Sequence, residues 1–351
     1  MTRITFIKSL LFHFILLVPI LLSGEIISPF NKKNIIDSTA DYNFIVSGHF
    51  HGASTNTSTF PAATILAGID TLNALKPSFL IHLGDLFLDV NEEYIAHYQR
   101  VLFDKLHMPL LNAVGNHDLS NHNMYEKIYG KSHYFFTKST ELFIVLNTEL
   151  NDGNIKDEQL NEFKAALNLI KIKNIKQIFV FSHRPVWAEG NKRYSRFFKN
   201  NTQSRFGFPN YKKDILPLLQ QAHVPVYWMS GSTGGGPSSF FYDKNEEDHI
   251  TYIQTAIRDT PRDAVLNVSV SKGEISFKTI SLTGQNLLPL EHYNFRFWSQ
   301  NTSPEQSFNY RLIPYLIWLA VSHHYFWIGF FIGICFVVFL SILIKKWKKR
   351  K

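Results

Sequence analysis

The sequence predicts an α/β fold, and two observations carry that prediction. Apolar runs of strand length alternate with helix-period segments from about residue 43 to residue 281, the pattern of a sheet covered by helices. Four of the strand-like runs also end in short polar segments of metal-binding residue types: Gly48-His49-Phe50-His51-Gly52, Gly84-Asp85, Gly115-Asn116-His117-Asp118 and Ser182-His183-Arg184-Pro185. In α/β sheets ligands gather beyond the carboxyl ends of the strands, which is where these segments fall.

Asn43 to Ser47 is short and apolar and reads as a strand, followed by a Ser/Thr-rich loop to Phe60. Pro61 suits a first helical turn, and 62–75 reads as helix. Residues 79–83 form the next predicted strand, 92–106 a helix, 109–114 a strand and 142–146 another. Leu160, Phe163, Leu167 and Ile170 recur at helical spacing within 156–172. A strand is predicted over 177–181, and 187–211, polar, basic and aromatic without a period, reads as a long loop over the site. A helix over 214–222 leads to a strand at 226–230 that runs into Gly231-Ser232-Thr233-Gly234. Residues 264–270 and 274–281, joined by Lys272-Gly273, read as a hairpin. No internal repeat is visible.

Both ends of the chain have other uses. Residues 1–24 carry Arg3 and Lys8, an apolar run and then Ser23-Gly24, the layout of a signal sequence or of an uncleaved signal anchor. Residues 325–344 are almost wholly apolar, long enough for a transmembrane helix. The basic tail at 345–351 places the C-terminus on the cytoplasmic side and the middle of the chain outside. The result is a single-pass protein, or a two-pass one if the first segment is retained. Residues 284–324 form a connector and membrane-proximal segment. Within it 312–321 is apolar but too short to span, which suits the membrane surface or a place beside the anchor.

The formal net charge of +8 equals the basic residues of the two termini, Arg3, Lys8 and the six in the tail. The exported part is therefore close to neutral, and a nucleic-acid footprint is not supported. The single cysteine, Cys335, lies in the membrane run, so the exported part has no disulfide and depends on an apolar core.

The polar segments supply a coherent set of donors. His49, His51 and His183 offer imidazoles, Asp85 a carboxylate able to bridge two cations, and Asn116 a neutral oxygen. Two cations a few ångströms apart polarise a phosphoryl oxygen and activate water. His117 can protonate a leaving oxygen, with Asp118 to orient its ring. His82, three residues before Asp85 in a strand, faces the other way and suits core or helix packing.

With these motifs in this order, the chain over about 43–281 resembles the calcineurin-like metallophosphoesterase superfamily. Gly84-Asp85, Gly115-Asn116-His117-Asp118 and Ser182-His183 match its motifs outright, and 134–136 and 142–148 look like its segment between the third and fourth. The resemblance implies a metallophosphoesterase four-layer αββα sandwich over 41–283. It implies a site with two divalent cations (zinc, manganese or iron). Asp85 would bridge, His49 and His51 would serve one cation, and Asn116 and His183 the other. His117 would be the general acid, for hydrolysis of a phosphate mono- or diester by activated water.

Two motifs depart from the family. His49 stands where it has Asp, which favours zinc. Ser232 and Gly234 stand where it has two histidines, so each cation loses one ligand and keeps three, the count of an open catalytic zinc site. The glycine-rich segment, with Ser232 and Thr233, offers N–H groups to a phosphate, as Arg184 offers a guanidinium. Asp243, Glu246, Glu247, Asp248 and His249 are candidate replacement ligands. The membrane location suggests a lipid-linked or envelope phosphoester as substrate. The alternative is a pseudoenzyme, a membrane-tethered binding or assembly module that has lost catalysis with its histidines.

Overall fold

The computed structural model describes residues 26–36, 41–53, 55–121, 123–194, 209–232, 239–300, 313–322 and 324–348. The expected signal segment, the glycine-rich residues 233–236 with Thr233, and the middle of the 187–211 loop lie outside the described residues.

The first sheet contains β3 (Tyr42–Ser47), β4 (Leu80–His82), β5 (Leu110–Asn112), β12 (Ala264–Ser271) and β13 (Glu274–Ser281), in the order β13-β12-β3-β4-β5. The second contains β6 (Tyr134–Lys138), β7 (Glu141–Val145), β8 (Gln177–Ser182), β9 (Val226–Ser230), β10 (Ser239–Asn245) and β11 (Ile250–Ala256), in the order β10-β11-β9-β8-β7-β6. Strands β3, β4 and β5 run parallel, as do β7, β8, β9 and β11. A two-stranded ribbon of β1 (Ile26–Ile27) and β2 (Asn34–Ile35) stands apart from both sheets.

The layering follows from period-2 alternation. In β3, Phe44 and Val46 join a cluster with the second sheet, while Ile45 joins the cluster beneath the helices. In the neighbouring strands Ile81 and Leu111 take the first side, Leu80 and Leu110 the second. The inter-sheet space is filled by phenylalanine: the Phe44 ring lies 4.9 Å from Phe79, 5.2 Å from Phe179 and 5.5 Å from Phe143. Helices α1 (Ala63–Ala74), α2 (Glu92–Tyr98) and α3 (Met124–Tyr129) contribute to the cluster over the first sheet. On the second sheet, α4 (Asp157–Ile172) packs against β6 and β7, and α5 (Leu216–Gln220) adds Leu219 to the same core. Helices, sheet, sheet and helices make the expected αββα sandwich.

Three expectations change. The helix predicted over 92–106 is regular only to Tyr98 and then widens at Gln99–Phe103. The described ends of the 187–211 loop are core: Trp187 stacks on Tyr252 at 4.4 Å, and Tyr211 meets Trp228 edge-on at 5.2 Å. Aromatic residues without a period fill gaps on the outer face of the second sheet. The β10–β11 hairpin was not predicted. Two of the candidate acids are engaged there instead of at the site: Asp243 pairs with Arg193 and Tyr194, and Asp248 accepts from the Tyr252 hydroxyl.

After α6 (Phe295–Gln300) come α7 (Ile313–Ser322) and α8 (His324–Lys348). The 25 residues of α8 have a mean hydropathy of 2.8 in their most apolar window, and none of that window is buried. At 1.5 Å per residue it is about 37 Å long, more than the ~30 Å hydrocarbon thickness.

Candidate metal centre

The parallel registers end level. Ser47 pairs with His82 and His82 with Asn112 in the first sheet, and Ser182 with Ser230 in the second. The loops beyond are laced together by backbone: His49 N–H donates to Gly84 O at 3.1 Å, and Gly231 N–H to His183 O at 3.0 Å. Two ligand positions take a left-handed backbone, His49 at φ 58° and Asp85 at φ 58°, a conformation that clusters at functional sites and re-aims the side chain. Gly231 is needed for close approach, because a Cβ there would lie 2.1 Å from the Leu83 carbonyl oxygen. Gly231→Ala is expected to cost about 1–3 kcal/mol and to weaken zinc uptake, because that carbonyl holds His183; urea denaturation and zinc titration would measure both.

The centre is organised around one carboxylate oxygen. Asp85 Oδ2 lies 3.4 Å from His183 Nε2, 3.7 Å from His49 Nε2 and 3.8 Å from His51 Nε2. These separations are too long for hydrogen bonds. Donors about 2.0–2.1 Å from a shared cation lie roughly 3.4 Å apart along a tetrahedral edge; the His183 separation equals that, and the other two exceed it by a few tenths of an ångström. The other oxygen, Oδ1, accepts the His117 backbone N–H at 3.1 Å. Two donor groups share Asp85: His49, Asp85 and His183, and His51, Asp85 and His117.

The imidazoles are presented as ligands. His183 Nδ1–H donates to Leu83 O at 2.9 Å and His117 Nδ1–H to Leu88 O at 2.8 Å, so each ring turns Nε2 toward the cluster, the usual anchoring of a metal-bound histidine. Among the described residues, His183 Nε2 and both ring nitrogens of His49 and His51 are buried without a hydrogen-bond partner. Buried polar atoms left unpaired are costly, and divalent cations would satisfy the three Nε2 atoms that face Asp85.

Beneath the ligands runs a buried polar network. Phe50 N–H, between the two loop histidines, donates to His82 Nε2 at 3.1 Å, and His82 Nδ1–H donates to Asn112 Oδ1 at 2.8 Å. Asn112 Nδ2 donates to Asp118 Oδ2 at 3.2 Å and to the Tyr125 hydroxyl at 3.0 Å. Asp118 also accepts from the backbone N–H groups of Leu86, Phe87 and Gly115. One chain of bonds thus joins the loops that carry His49 and His51, Asp85, and Asn116 and His117.

Burial alone would raise the Asp85 carboxyl, but His183, His51 and His49 outweigh it and hold it well below the usual range. Burial pushes His49 well below its ordinary value, opposed by Asp85 and assisted by His183, His51 and Arg258. Burial lowers His82 from 6.5 to about 3, consistent with a neutral ring whose Nε2 accepts. The unfolded chain therefore takes up this proton first as pH falls. Stability from His82 is complete above about pH 6.5 and drains toward pH 3, by up to about 1.4 kcal/mol per pH unit. The urea midpoint is expected to fall between pH 7 and 5, and less steeply in His82→Gln.

The candidate residues divide as follows. His49, His51, Asp85, His117 and His183 come together. The donor groups differ from the expected pairing, since His49 groups with His183 and His51 with His117. Asn116 is exposed, and its side chain has no hydrogen bond among the described residues. Asp118 does not hold the His117 ring; the Leu88 carbonyl does, because Asp118 is fully buried among backbone donors. Arg184 is not poised for substrate: its guanidinium pairs with Glu189 at 2.5 Å and approaches Asp152 at 3.8 Å. Ser232 is buried and its backbone N–H donates to His183 O at 2.8 Å.

Sequence reasoning missed His82 as a positioning group, although Ser47, His82 and Asn112 are polar residues at matching positions of three strand ends. It also missed Arg258, whose charge lowers His49 and is itself favoured by the Asp85 carboxylate, and which Ile257 places by donating to Gly48 O at 3.0 Å. Glu149 was missed too; burial raises its carboxyl, opposed by the charges of His183 and Arg184.

The family described as calcineurin-like phosphoesterase matches residues 59–254, a span that holds Asp85, Asn116, His117 and His183 and begins after His49 and His51. Among solved structures, a dimetal phosphatase from Danio rerio aligns with 69% of this chain and 96% of its own, at 14% identity and a TM-score of 0.47. A conserved uncharacterized protein from Streptococcus pneumoniae, described as a predicted phosphoesterase, aligns with 70% of this chain and 92% of its own, at 10% identity and a TM-score of 0.33. A cold-active protein-tyrosine phosphatase from a psychrophilic Shewanella aligns with 68% and 80%, at 12% identity and a TM-score of 0.28. No curated protein matches the chain.

Proposed function

The chain belongs to the calcineurin-like phosphoesterase family, and from that premise we propose that it hydrolyses a phosphate mono- or diester at a centre for two divalent cations. The observation that carries the proposal is the set of unpaired imidazole nitrogens around Asp85 Oδ2 at 3.4–3.8 Å. His49, Asp85 and His183 would hold one cation, and Asp85 and His51 the other, with His117 at its edge. A donor set rich in imidazole favours zinc, with manganese or iron as the alternatives. When bound, such cations polarise a phosphoryl oxygen and lower the pKa of a water.

The chain's own groups do the rest. Asp85 carries negative charge between the two positions. The Leu88 carbonyl fixes the His117 ring, so its Nε2 is the atom that can pass a proton to the departing oxygen. His117 is half-buried, unlike the buried His49, His51 and His183, which leaves its edge within reach of substrate. A second reading follows from the grouping of His117 with His51 and Asp85: its Nε2 binds a cation in place of a histidine missing from the last motif.

His117→Ala separates the two. As a proton donor, its loss leaves two zinc ions per chain and lowers turnover of phenyl phosphodiesters by about 10²–10⁴, with a smaller loss for nitrophenyl esters. As a ligand, its loss lowers the zinc content. Unchanged turnover with zinc bound contradicts both. Helix α8 would anchor the domain, with Lys345, Lys346 and Lys348 on the cytoplasmic side and the metal centre on the other.

A further inference from the structure

We infer that the metal centre opens at the membrane surface and takes a phosphoester carried by a lipid. This rests on the hydrolase reading above and names its substrate class.

The argument starts from the loop that carries His51. One side chain, Asn56, donates through Nδ2 to His51 O at 2.8 Å and to Phe60 O at 3.0 Å. Ala62 N–H donates to Phe50 O at 2.7 Å. Phe60 is therefore tied directly to the backbone of the ligand loop. Its ring stacks on His97 at 4.0 Å and meets Trp318 of α7 edge-on at 4.8 Å, and α7 packs along α1, the helix that follows this loop.

Helix α7 is in turn fixed to α8. Only residue 323 separates them, and Trp327 Nε1–H of α8 donates to Val321 O of α7 at 2.8 Å. Lys345, Lys346 and Lys348 mark the far end of α8, so His324, Tyr325 and Trp327 lie at the opposite interface, where aromatic residues concentrate. Helix α7 is apolar, and Ile313 and Ile317, one turn apart, are exposed. An apolar helix held at the start of a membrane span has one natural cover, the lipid surface itself. The loop that carries His51 then sits at headgroup depth, where lipid phosphates lie.

In the reaction water oxygen bonds to phosphorus and the bond from phosphorus to the lipid alcohol breaks. The alcohol oxygen takes a proton and stays with its acyl chains in the bilayer, and the phosphate product leaves to water.

The test uses the zinc-loaded full chain in dioleoylphosphatidylcholine vesicles. A nitroxide on Ile317→Cys, in a Cys335→Ser background, is expected to collide more with oxygen than with a water-soluble nickel chelate; the reverse order overturns the inference. Dioleoylphosphatidic acid or dioleoylphosphatidylethanolamine in those vesicles is expected to be cleaved at least tenfold faster than its dihexanoyl counterpart dissolved in water. Equal or faster cleavage of the dihexanoyl form overturns the inference. Cleavage of bis(p-nitrophenyl) phosphate without cleavage of either lipid overturns it and leaves the hydrolase reading standing. No cleavage of any of these compounds removes both.

Discussion

Asp85→Asn is expected to lower turnover by at least about 10³-fold and to reduce bound zinc at both positions, with the fold retained. The expectation follows from where the two carboxylate oxygens point. Oδ2 is shared by both donor groups, facing His49, His51 and His183, so its charge would serve two cations at once. An amide keeps the acceptor for the His117 backbone N–H at 3.1 Å, and asparagine tolerates the left-handed backbone of this position as well as aspartate does. What it removes is the negative charge between the cations, and removal of a single preorganised electrostatic group costs about 10²–10³ in rate; a group shared by two cations exceeds that. Elemental analysis, circular dichroism and turnover of bis(p-nitrophenyl) phosphate check the three parts. Normal zinc content in the variant would show that Asp85 does not bridge.

Asp118→Ala is expected to have the largest effect on stability. Four donors converge on this carboxylate: the N–H groups of Leu86, Phe87 and Gly115, and Asn112 Nδ2. Each buried donor left unsatisfied costs about 1–3 kcal/mol, so the loss is expected to be at least about 4 kcal/mol, a large share of the ~5–15 kcal/mol of a whole domain. Burial and the neighbouring Asp85 charge raise the Asp118 carboxyl, while its donors stabilise the ion. Asp118→Asn, which keeps one acceptor, is expected to lose less. Urea unfolding of the zinc-free protein gives both values free of metal linkage. A change below about 1 kcal/mol in Asp118→Ala would contradict the account of the network.

Most strands were legible because they are short apolar runs ended by polar or glycine residues, and the ligand loops were legible because those endings repeat. Ile45 between Phe44 and Val46 shows how far period 2 reaches: it assigns faces, but the partner of each face comes only from the fold. The β10–β11 hairpin was hidden because its charged tip, Asn245 to His249, resembled a loop reaching for a site. Asp118 was read as the orienter of His117 from adjacency in sequence. The strand ends place it under three other loops, and a carbonyl 29 residues earlier in the chain, that of Leu88, holds the ring. The pairing of His49 with His183 likewise depends on the two sheets meeting, which no local pattern encodes. His82 was placed correctly on the helix side of its strand, but its bond to Phe50 N–H follows from level strand registers.

The central claim is that imidazoles from separate strand ends grip two cations around Asp85. X-ray absorption at the zinc edge, with elemental analysis of the full chain, tests it most directly. The account predicts two zinc ions per chain, nitrogen and oxygen neighbours at about 2.0–2.1 Å and an outer shell of imidazole scattering that diminishes in His183→Ala. Less than one zinc per chain under saturation, or a first shell of water oxygen without imidazole, would contradict it.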